Sequence, residues 1–250
     1  MDRIVLMYHC VYRNDIQESG FLNDSAFMYK IDAQLFEEEV KNIVEYCKIS
    51  NKLFDSIELT FDDGGVSFYT VVAPILEKYD LRGVFFITTK YINTPGFLTS
   101  SQIKDLHNRG HIIGSHSHSH PSDFADLTLE DIKREWRLST QILQNILGRK
   151  IELASLPNGC YSKAIVEEAI DYGIKLLYTS KPTSKSYSFR DCSIIGRYVI
   201  HNKLEIRDVL AIITSKRKRF MLHIKWEVLS CIKVILGNYY TKIKILITGK

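Results

Sequence analysis

Two short segments of the chain carry residues that could bind a metal ion and move protons. Asp62 and Asp63 are adjacent carboxylates, and three histidines stand at alternate positions of a later segment: His116, His118 and His120. Imidazole nitrogens and carboxylate oxygens are ligands of zinc-like cations, and a catalytic site of this kind keeps one position for water. When one of two adjacent carboxylates binds an ion, the other cannot easily reach the same ion, so it is free to act as a base on metal-bound water.

The backbone of the histidine segment decides which imidazoles can share one ion. In a helical turn His116 and His120 lie on one face, whereas in an extended segment all three histidines do. An Asp-Asp-Gly sequence is also common in turns, and polar loops can be rich in histidine. The combination of the two segments favours a metal site over two unrelated loops, and both backbone alternatives stay open.

Alternating strands and helices are predicted to position these residues. The strand candidates are residues 4–9, 56–61, 83–88, 111–115, 151–156, 175–179 and 194–200. The helix candidates, several with an N-cap residue or a closing glycine, are residues 32–47, 66–79, 99–110, 128–148, 162–172 and 203–214. Strands that alternate with helices of this length predict βα units and a mostly parallel sheet, open or closed into a barrel.

The polar residues follow the predicted strands at their carboxyl ends. The Asp pair follows the second strand, the histidines follow the fourth, Asn158 follows the fifth, and the first strand ends in His9. In parallel α/β folds the chemistry collects at these ends. We therefore expect the side chains to meet in one site.

The paired motifs resemble those of the polysaccharide deacetylase family, the NodB-homology domain. Thr-Phe-Asp-Asp-Gly at 60–64 and His-Ser-His-Ser-His at 116–120 are similar to the family motifs TFDDG and H[ST]xx[HD], in the same order. The family fold is a distorted (β/α)₇ barrel, in agreement with seven predicted strands. The unbroken strand–helix pattern predicts a single domain over residues 1–215, which the resemblance identifies as catalytic, and a basic, helical C-terminal tail over residues 216–250.

The resemblance implies a role for each matching residue. Asp63, His116 and His120 would bind a divalent metal, with Zn²⁺ the expected ion, and Asp62 would be the general base. His118 matches no family ligand, so we expect a loop imidazole.

The segment at 157–159 resembles a form of the third family motif. The backbone N–H of Asn158, between Pro157 and Gly159, would help to bind the tetrahedral oxyanion. Many members carry an arginine two residues before the proline that holds the base. Ser155 occupies that position here, so the sequence predicts that the arginine–base pair is missing. The Asp and Trp of the fourth motif have no counterpart between residues 178 and 197.

Two histidines are candidates for the general acid. Many members place this residue in a late Leu-x-His. Phe-Met-Leu-His at 220–223 resembles it only superficially, because this segment is basic and helix-like. A branch with permuted motifs takes the acid from an N-terminal strand ending in Tyr-His, as in Tyr8-His9. We therefore expect His9 rather than His223 to be the acid.

The charge of the chain is concentrated in its tail. The whole chain carries +4, whereas residues 216–250 contain nine Lys or Arg and one acid, so residues 1–215 carry −4. Nucleic-acid binding by the whole protein is therefore not indicated. The tail also contains regularly spaced apolar residues. It could be a helix packed on the barrel, or a peripheral contact with an anionic membrane or a glycosyltransferase partner.

Five scattered cysteines without a CxxC spacing, and an opening without a signal-like apolar run, predict a reducing, cytoplasmic location, with peripheral contact to the inner face of the membrane as an option. The favoured function is a metal-dependent sugar deacetylase, a hydrolase of carbon–nitrogen bonds that removes N-acetyl groups from an acetylated sugar or a precursor of a surface glycan. The alternative is a carbohydrate-binding or scaffold protein of glycan assembly that has lost turnover.

Overall fold

Eleven strands and eight α-helices make up the part of the chain that the computed structural model describes, residues 3–50 and 56–236. The strands are Ile4–Tyr8 (β1), Val11–Tyr12 (β2), Ile31–Asp32 (β3), Ile57–Phe61 (β4), Val84–Ile87 (β5), Ile112–Ser115 (β6), Leu153–Ser155 (β7), Leu176–Tyr178 (β8), Tyr187–Phe189 (β9), Cys192–Ile195 (β10) and Tyr198–Val199 (β11). The α-helices are Asp24–Phe27 (α1), Ala33–Ile49 (α2), Ala73–Lys78 (α3), Ser100–Asn108 (α4), Leu129–Leu147 (α5), Lys163–Asp171 (α6), Ile206–Thr214 (α7) and Lys216–Leu236 (α8).

The main sheet is parallel except at one edge. Its order is β11-β1-β4-β5-β6-β7-β8-β10-β9, and only β9 runs antiparallel to its neighbour. β10 pairs with β8 and β11 pairs with β1, although the two strands are consecutive in the chain. The chain thus connects the two sides of a curled sheet at this point, and the predicted distorted (β/α)₇ barrel is confirmed.

The last predicted strand, residues 194–200, is broken in two. β10 ends at Ile195 and β11 begins at Tyr198, so Gly196 and Arg197 lie between them. A Cβ atom on Gly196 would lie 2.5 Å from the carbonyl oxygen of Lys181, so only glycine fits at the break. A run of apolar residues does not reveal such a break, because both halves are buried strands.

Local signals set the helix boundaries. Asp32 accepts hydrogen bonds from the backbone of Gln34 and Leu35 at the start of α2, and Thr99 forms a full capping box with Gln102 at the start of α4. Gly148 ends α5 in the left-handed conformation. These ends agree with the sequence prediction to within a few residues, because capping depends on neighbouring residues alone.

The apolar side chains form an outer and an inner cluster. The outer one, between sheet and helices, includes Phe85 and Leu177, and the inner one consists of Val5, Val84, Phe86, Tyr178 and Ile195. Successive residues of a strand point to opposite faces, so strands buried on both faces fill both clusters. The polar site lies against this inner cluster, where the side chains of Phe86 and Tyr178 contact it.

Candidate active site

A cavity of about 590 Å³ opens at the carboxyl ends of the strands. Most of the residues selected from the sequence line it: His9, Asp62, Asp63, His116, His120, Asn158 and Gly159. Pro157 is buried directly before the last two. The strand ends thus bring together residues that are up to 150 positions apart in the chain.

Asp63, His116 and His120 form a compact cluster of possible metal ligands. Asp63 Oδ1 lies 3.5 Å from Nε2 of His116 and 3.5 Å from Nε2 of His120. One ligand atom from each residue lies within 4.8 Å of the other two. Two imidazole nitrogens and one carboxylate oxygen suit a divalent ion such as Zn²⁺, so the residues present fit the metal that the family motifs imply.

The cluster depends on a turn that is neither helical nor extended. Ser117 and His120 adopt positive φ values of 61° and 56°, and Ser117 Oγ accepts a hydrogen bond from the backbone N–H of His120 at 3.1 Å. The rings of His116 and His120 lie 5.0 Å apart, whereas His118 points away and its Nδ1 lies 2.9 Å from Thr89 Oγ1. The two backbone alternatives left open by the sequence are therefore both replaced by a tight bend.

Glu135 of α5 stabilises this bend from below. Its carboxylate accepts hydrogen bonds from the backbone N–H groups of His118 and Ser119 at 2.8 and 2.7 Å and from Ser119 Oγ at 2.7 Å. The sequence analysis did not select Glu135. The signal was present, because a charged residue lies on the buried face of α5 between Ile132 and Trp136.

The histidine ligands present the correct nitrogen to the ion site. Nδ1 of His116 lies 3.1 Å from the carbonyl oxygen of Ser155, which can only accept, so Nδ1 carries a proton and Nε2 is the nitrogen that faces the ion site. For His120, burial and the neighbouring His116 lower the pKa to about 4, which keeps its ring neutral near pH 7.

Arg197 holds the carboxylate of Asp62 in a bidentate ion pair. Nη1 and Nη2 of Arg197 each lie 2.7 Å from one oxygen of Asp62, and both side chains are buried. Nε donates to the carbonyl oxygen of Thr179, and the guanidinium lies over the rings of Phe86 and Tyr178. Burial raises the pKa of Asp62, but the Arg197 guanidinium, together with the neighbouring His116 and His9, outweighs burial and holds that pKa well below its usual value.

The prediction that the arginine–base pair is missing is therefore wrong. The arginine comes from the break between β10 and β11 and not from the segment before Pro157. Ser155 instead contacts both Asp62 and His116. Its Oγ donates to Asp62 Oδ1 at 3.2 Å and lies against Nδ1 of His116. The available signal for this arginine was its position as the single charged residue of the apolar run 194–200. Its pairing with Asp62 could not be predicted, because the two residues are far apart in the sequence.

The two candidate acids lie in different surroundings. His9 lines the cavity and stacks on Tyr29 with 4.7 Å between ring centroids, and its buried Nδ1 has no hydrogen-bond partner among the described residues. Burial lowers the pKa of His9, and the nearby Asp63 and Asp62 oppose this shift. His223 lies on α8 with Nε2 3.6 Å from Glu227, and within the described chain it is not part of the cavity wall.

Backbone strain is concentrated at the cavity. Seven non-glycine residues of the described chain have positive φ, and four of them belong to the site: Asp63, Ser117, His120 and Asn158. Such conformations cost free energy and persist where the surrounding structure enforces them, often at functional sites.

Comparisons with known proteins bear on the family of the chain. A sequence model of the family described as polysaccharide deacetylase matches residues 50–177. Peptidoglycan-N-acetylmuramic acid deacetylase PdaA of Bacillus subtilis is 31% identical over 134 residues, which are 53% of this chain and 49% of that protein. The matched segments span about half the length of the first curated relatives, 46–49%.

Solved structures share the architecture. Streptococcus pyogenes deacetylase PplD, in complex with acetate, aligns over 85% of this chain and 98% of its own at a TM-score of 0.68 and 20% identity. IcaB from Ammonifex degensii aligns over 80% of this chain and 91% of its own at a TM-score of 0.64 and 19% identity. These likenesses support the fold, and the family match covers half of the sequence, including the Asp pair and the histidines. The chain belongs to the polysaccharide deacetylase family.

Proposed function

We propose that the protein is a metal-dependent hydrolase that removes acetyl groups, N-linked ones in particular, from a sugar or glycan precursor. The observation that carries the proposal is the arrangement of Asp62 beside the Asp63–His116–His120 cluster. Oδ2 of Asp62 lies 3.9 Å from Nε2 of His116, and Arg197 holds both oxygens of Asp62. A protein that only bound sugars would not need a base beside a metal site.

Asp63, His116 and His120 would hold the ion. When bound, a Zn²⁺ ion would polarise an acetyl carbonyl and lower the pKa of a water molecule towards neutrality.

The residues of the chain have separate tasks in the reaction. The water oxygen forms a bond to the acetyl carbonyl carbon while Asp62 accepts a proton from the water. The backbone N–H of Asn158 would donate to the oxyanion that develops on the carbonyl oxygen. The bond between carbon and nitrogen then breaks, the nitrogen receives a proton from His9, and the products are acetate and an amino sugar.

The ion pair with Arg197 suits Asp62 to this task. It keeps the carboxylate ionised and fixed in one orientation, so no reorganisation is needed when the proton arrives. The alternative function, a carbohydrate-binding protein without turnover, was based in part on a missing arginine, and Arg197 removes that support.

The proposal is tested by metal content and acetate release. The purified protein should contain a stoichiometric divalent metal and release acetate from members of a panel of N-acetylated sugars and glycan fragments. Asp62→Asn should keep the metal and lose activity by about 10²-fold or more, because general-base catalysis is of that size. Asp80→Asn, at an exposed position with the same change of charge, is the control.

Full metal occupancy with no acetate release from the whole panel would instead indicate the binding protein. Acetate release by Asp62→Asn at the wild-type rate would contradict the assignment of Asp62 as the base. Circular dichroism of Asp62→Asn distinguishes a lost base from a lost fold.

A further inference from the structure

The outward face of α8 is apolar. Phe220, Met221, Ile224, Val228 and Leu229 are 42–63% exposed, and they are five of the eleven large hydrophobic residues exposed in the described chain. At 100° per residue the first four lie within an arc of about 100° on one side of the helix. This is the reverse of an ordinary surface helix, whose apolar stripe faces the core.

Contacts on the opposite side fix the orientation of the helix. Arg219 is buried, and its Nη1 donates to the carbonyl oxygens of Ile212 and Ile213 at 2.8 and 3.0 Å, near the end of α7. Lys218 Nζ lies 3.0 Å from Asp208 Oδ1. The apolar stripe therefore cannot turn inward without breaking these contacts.

Cations without partners border the stripe. Lys216, Arg217 and Lys225 are exposed, and no carboxylate of the described residues lies within ion-pair distance of them. Glu227 is the acid of this helix, and Lys181 Nζ neutralises it at 2.6 Å. The centre of a protein–protein interface is usually depleted of lysine, whereas an anionic lipid surface attracts it.

We propose that α8 docks the protein on a membrane surface rich in anionic lipid headgroups. Phe220, Met221, Ile224 and Val228 enter the boundary between headgroups and acyl chains, and Lys216, Arg217 and Lys225 contact the headgroup phosphates. The remaining lysines of residues 226–250 add positive charge in the same part of the sequence. Among the helices of the described residues, none has the length and hydrophobicity that a membrane span needs.

The cavity lies on the side of α8 opposite the apolar stripe. Trp226 of the same helix lines the cavity, and Lys181, whose Nζ lies 5.1 Å from the centre of the Trp226 ring, holds it there. The docking itself goes beyond the proposed function and does not depend on it.

The test is co-sedimentation of the full chain with vesicles of phosphatidylcholine alone and of phosphatidylcholine mixed with phosphatidylglycerol. We expect binding to the anionic vesicles that weakens as salt is added, since exposed charges are screened. The double variant Phe220→Ser/Ile224→Ser should weaken binding by about tenfold or more, because two buried apolar side chains are lost. The control, Ile49→Ser/Leu129→Ser, removes two exposed hydrophobic residues from other helices and should bind as the wild type does.

Several outcomes would overturn the docking. These are absence of binding to anionic vesicles, equal binding to neutral vesicles, or equal loss in the control variant. A dimer that Phe220→Ser/Ile224→Ser dissociates, without vesicle binding by the wild type, would show that a second copy covers the stripe. Acetate release from a soluble substrate should be the same in the docking variant and the wild type, so a failure of docking and a failure of the proposed function give different results.

Discussion

At the scale of single residues, the site is built on pairs of neighbours that each restrict one functional group. Arg197 restricts Asp62, the carbonyl of Ser155 restricts the tautomer of His116, and Ser117 restricts the backbone of His120. Each restraint comes from a residue that carries no chemistry itself. The supporting residues are therefore sharper tests of the site than the ligands, whose loss removes the site altogether.

Arg197→Met should destabilise the protein and alter its acid stability. An apolar side chain of similar length leaves Asp62 buried without its partner, which costs about 3–5 kcal/mol in the free energy of unfolding. Urea denaturation measures this loss. Arg190→Met, which removes an exposed arginine paired with Glu167, should change the free energy of unfolding by less than about 1 kcal/mol.

The difference in unfolding free energy between the wild type and Arg197→Met should depend on pH. The pKa of Asp62 is lowered in the folded wild type, so its contribution to stability is fully present above the unfolded-state pKa of about 3.9 and is lost as pH falls towards the folded-state pKa. The gap in unfolding free energy between wild type and Arg197→Met should therefore narrow below about pH 4. A gap that widens on acidification would contradict the assignment of the ion pair.

Ser155→Ala should weaken metal binding without removing a ligand. The hydroxyl contacts both Nδ1 of His116 and Oδ1 of Asp62, and loss of such a supporting contact typically lowers metal affinity by about 10–100-fold. Competition with a chelator measures the affinity. Ser186→Ala, in an exposed loop, is the matched control, and an equal affinity in both variants would show that the hydroxyl does not support the site.

At the scale of elements, strand ends supply the site and helix starts follow local rules. Asp32, Thr99 and Thr128 cap the helices that the sequence assigned to them, because a cap needs only the next three residues. The break at Gly196 and Arg197 depends instead on strands from both sides of the barrel. It was not predictable from the run 194–200, which reads as one buried strand.

The identity of the general acid is tested by comparing variants of two histidines, His9 at the end of β1 and His223 in α8. His9→Gln should lower kcat by about 10²-fold or more at unchanged metal content, since His9 lines the cavity, and His223→Gln should have little effect. Both are measured as acetate release from one substrate. If only His223→Gln lost turnover, His223 and not His9 would be the general acid.

Helix α8 also supplies part of the cavity wall. Trp226→Ala removes an aromatic face on which a sugar ring can pack, so we expect a higher KM with a smaller change in kcat. Val228→Ala, exposed on another side of the same helix, is the control. If Trp226→Ala changes kcat and leaves KM unchanged, the contact with substrate is not at this residue.

At the scale of the whole molecule, stability and metal binding are linked. Two adjacent buried carboxylates, Asp62 and Asp63, face two histidines, and only Asp62 has a permanent cationic partner in Arg197. A divalent ion that binds the folded chain should raise its stability by about 2.7 kcal/mol at a free concentration one hundred times Kd.

Thermal unfolding with and without a chelator measures this linkage. Removing the ion should lower the Tm of the wild type, whereas Asp63→Asn/His120→Ala should show the same Tm in both conditions. A Tm of the wild type that does not respond to Zn²⁺ would contradict the site.

The sequence by itself determined the local features: the alternation of strands and helices, most helix ends, the Asp pair and the histidines that resemble the family motifs. Period, capping and motif spacing depend on neighbours in the chain, so they can be read without a structure. Only the tertiary structure decided that Arg197 holds Asp62, from 135 residues away, and that α8 reaches the cavity through Trp226. Those contacts depend on how the barrel closes, and barrel closure joins residues whose distance in sequence carries no information about their distance in space.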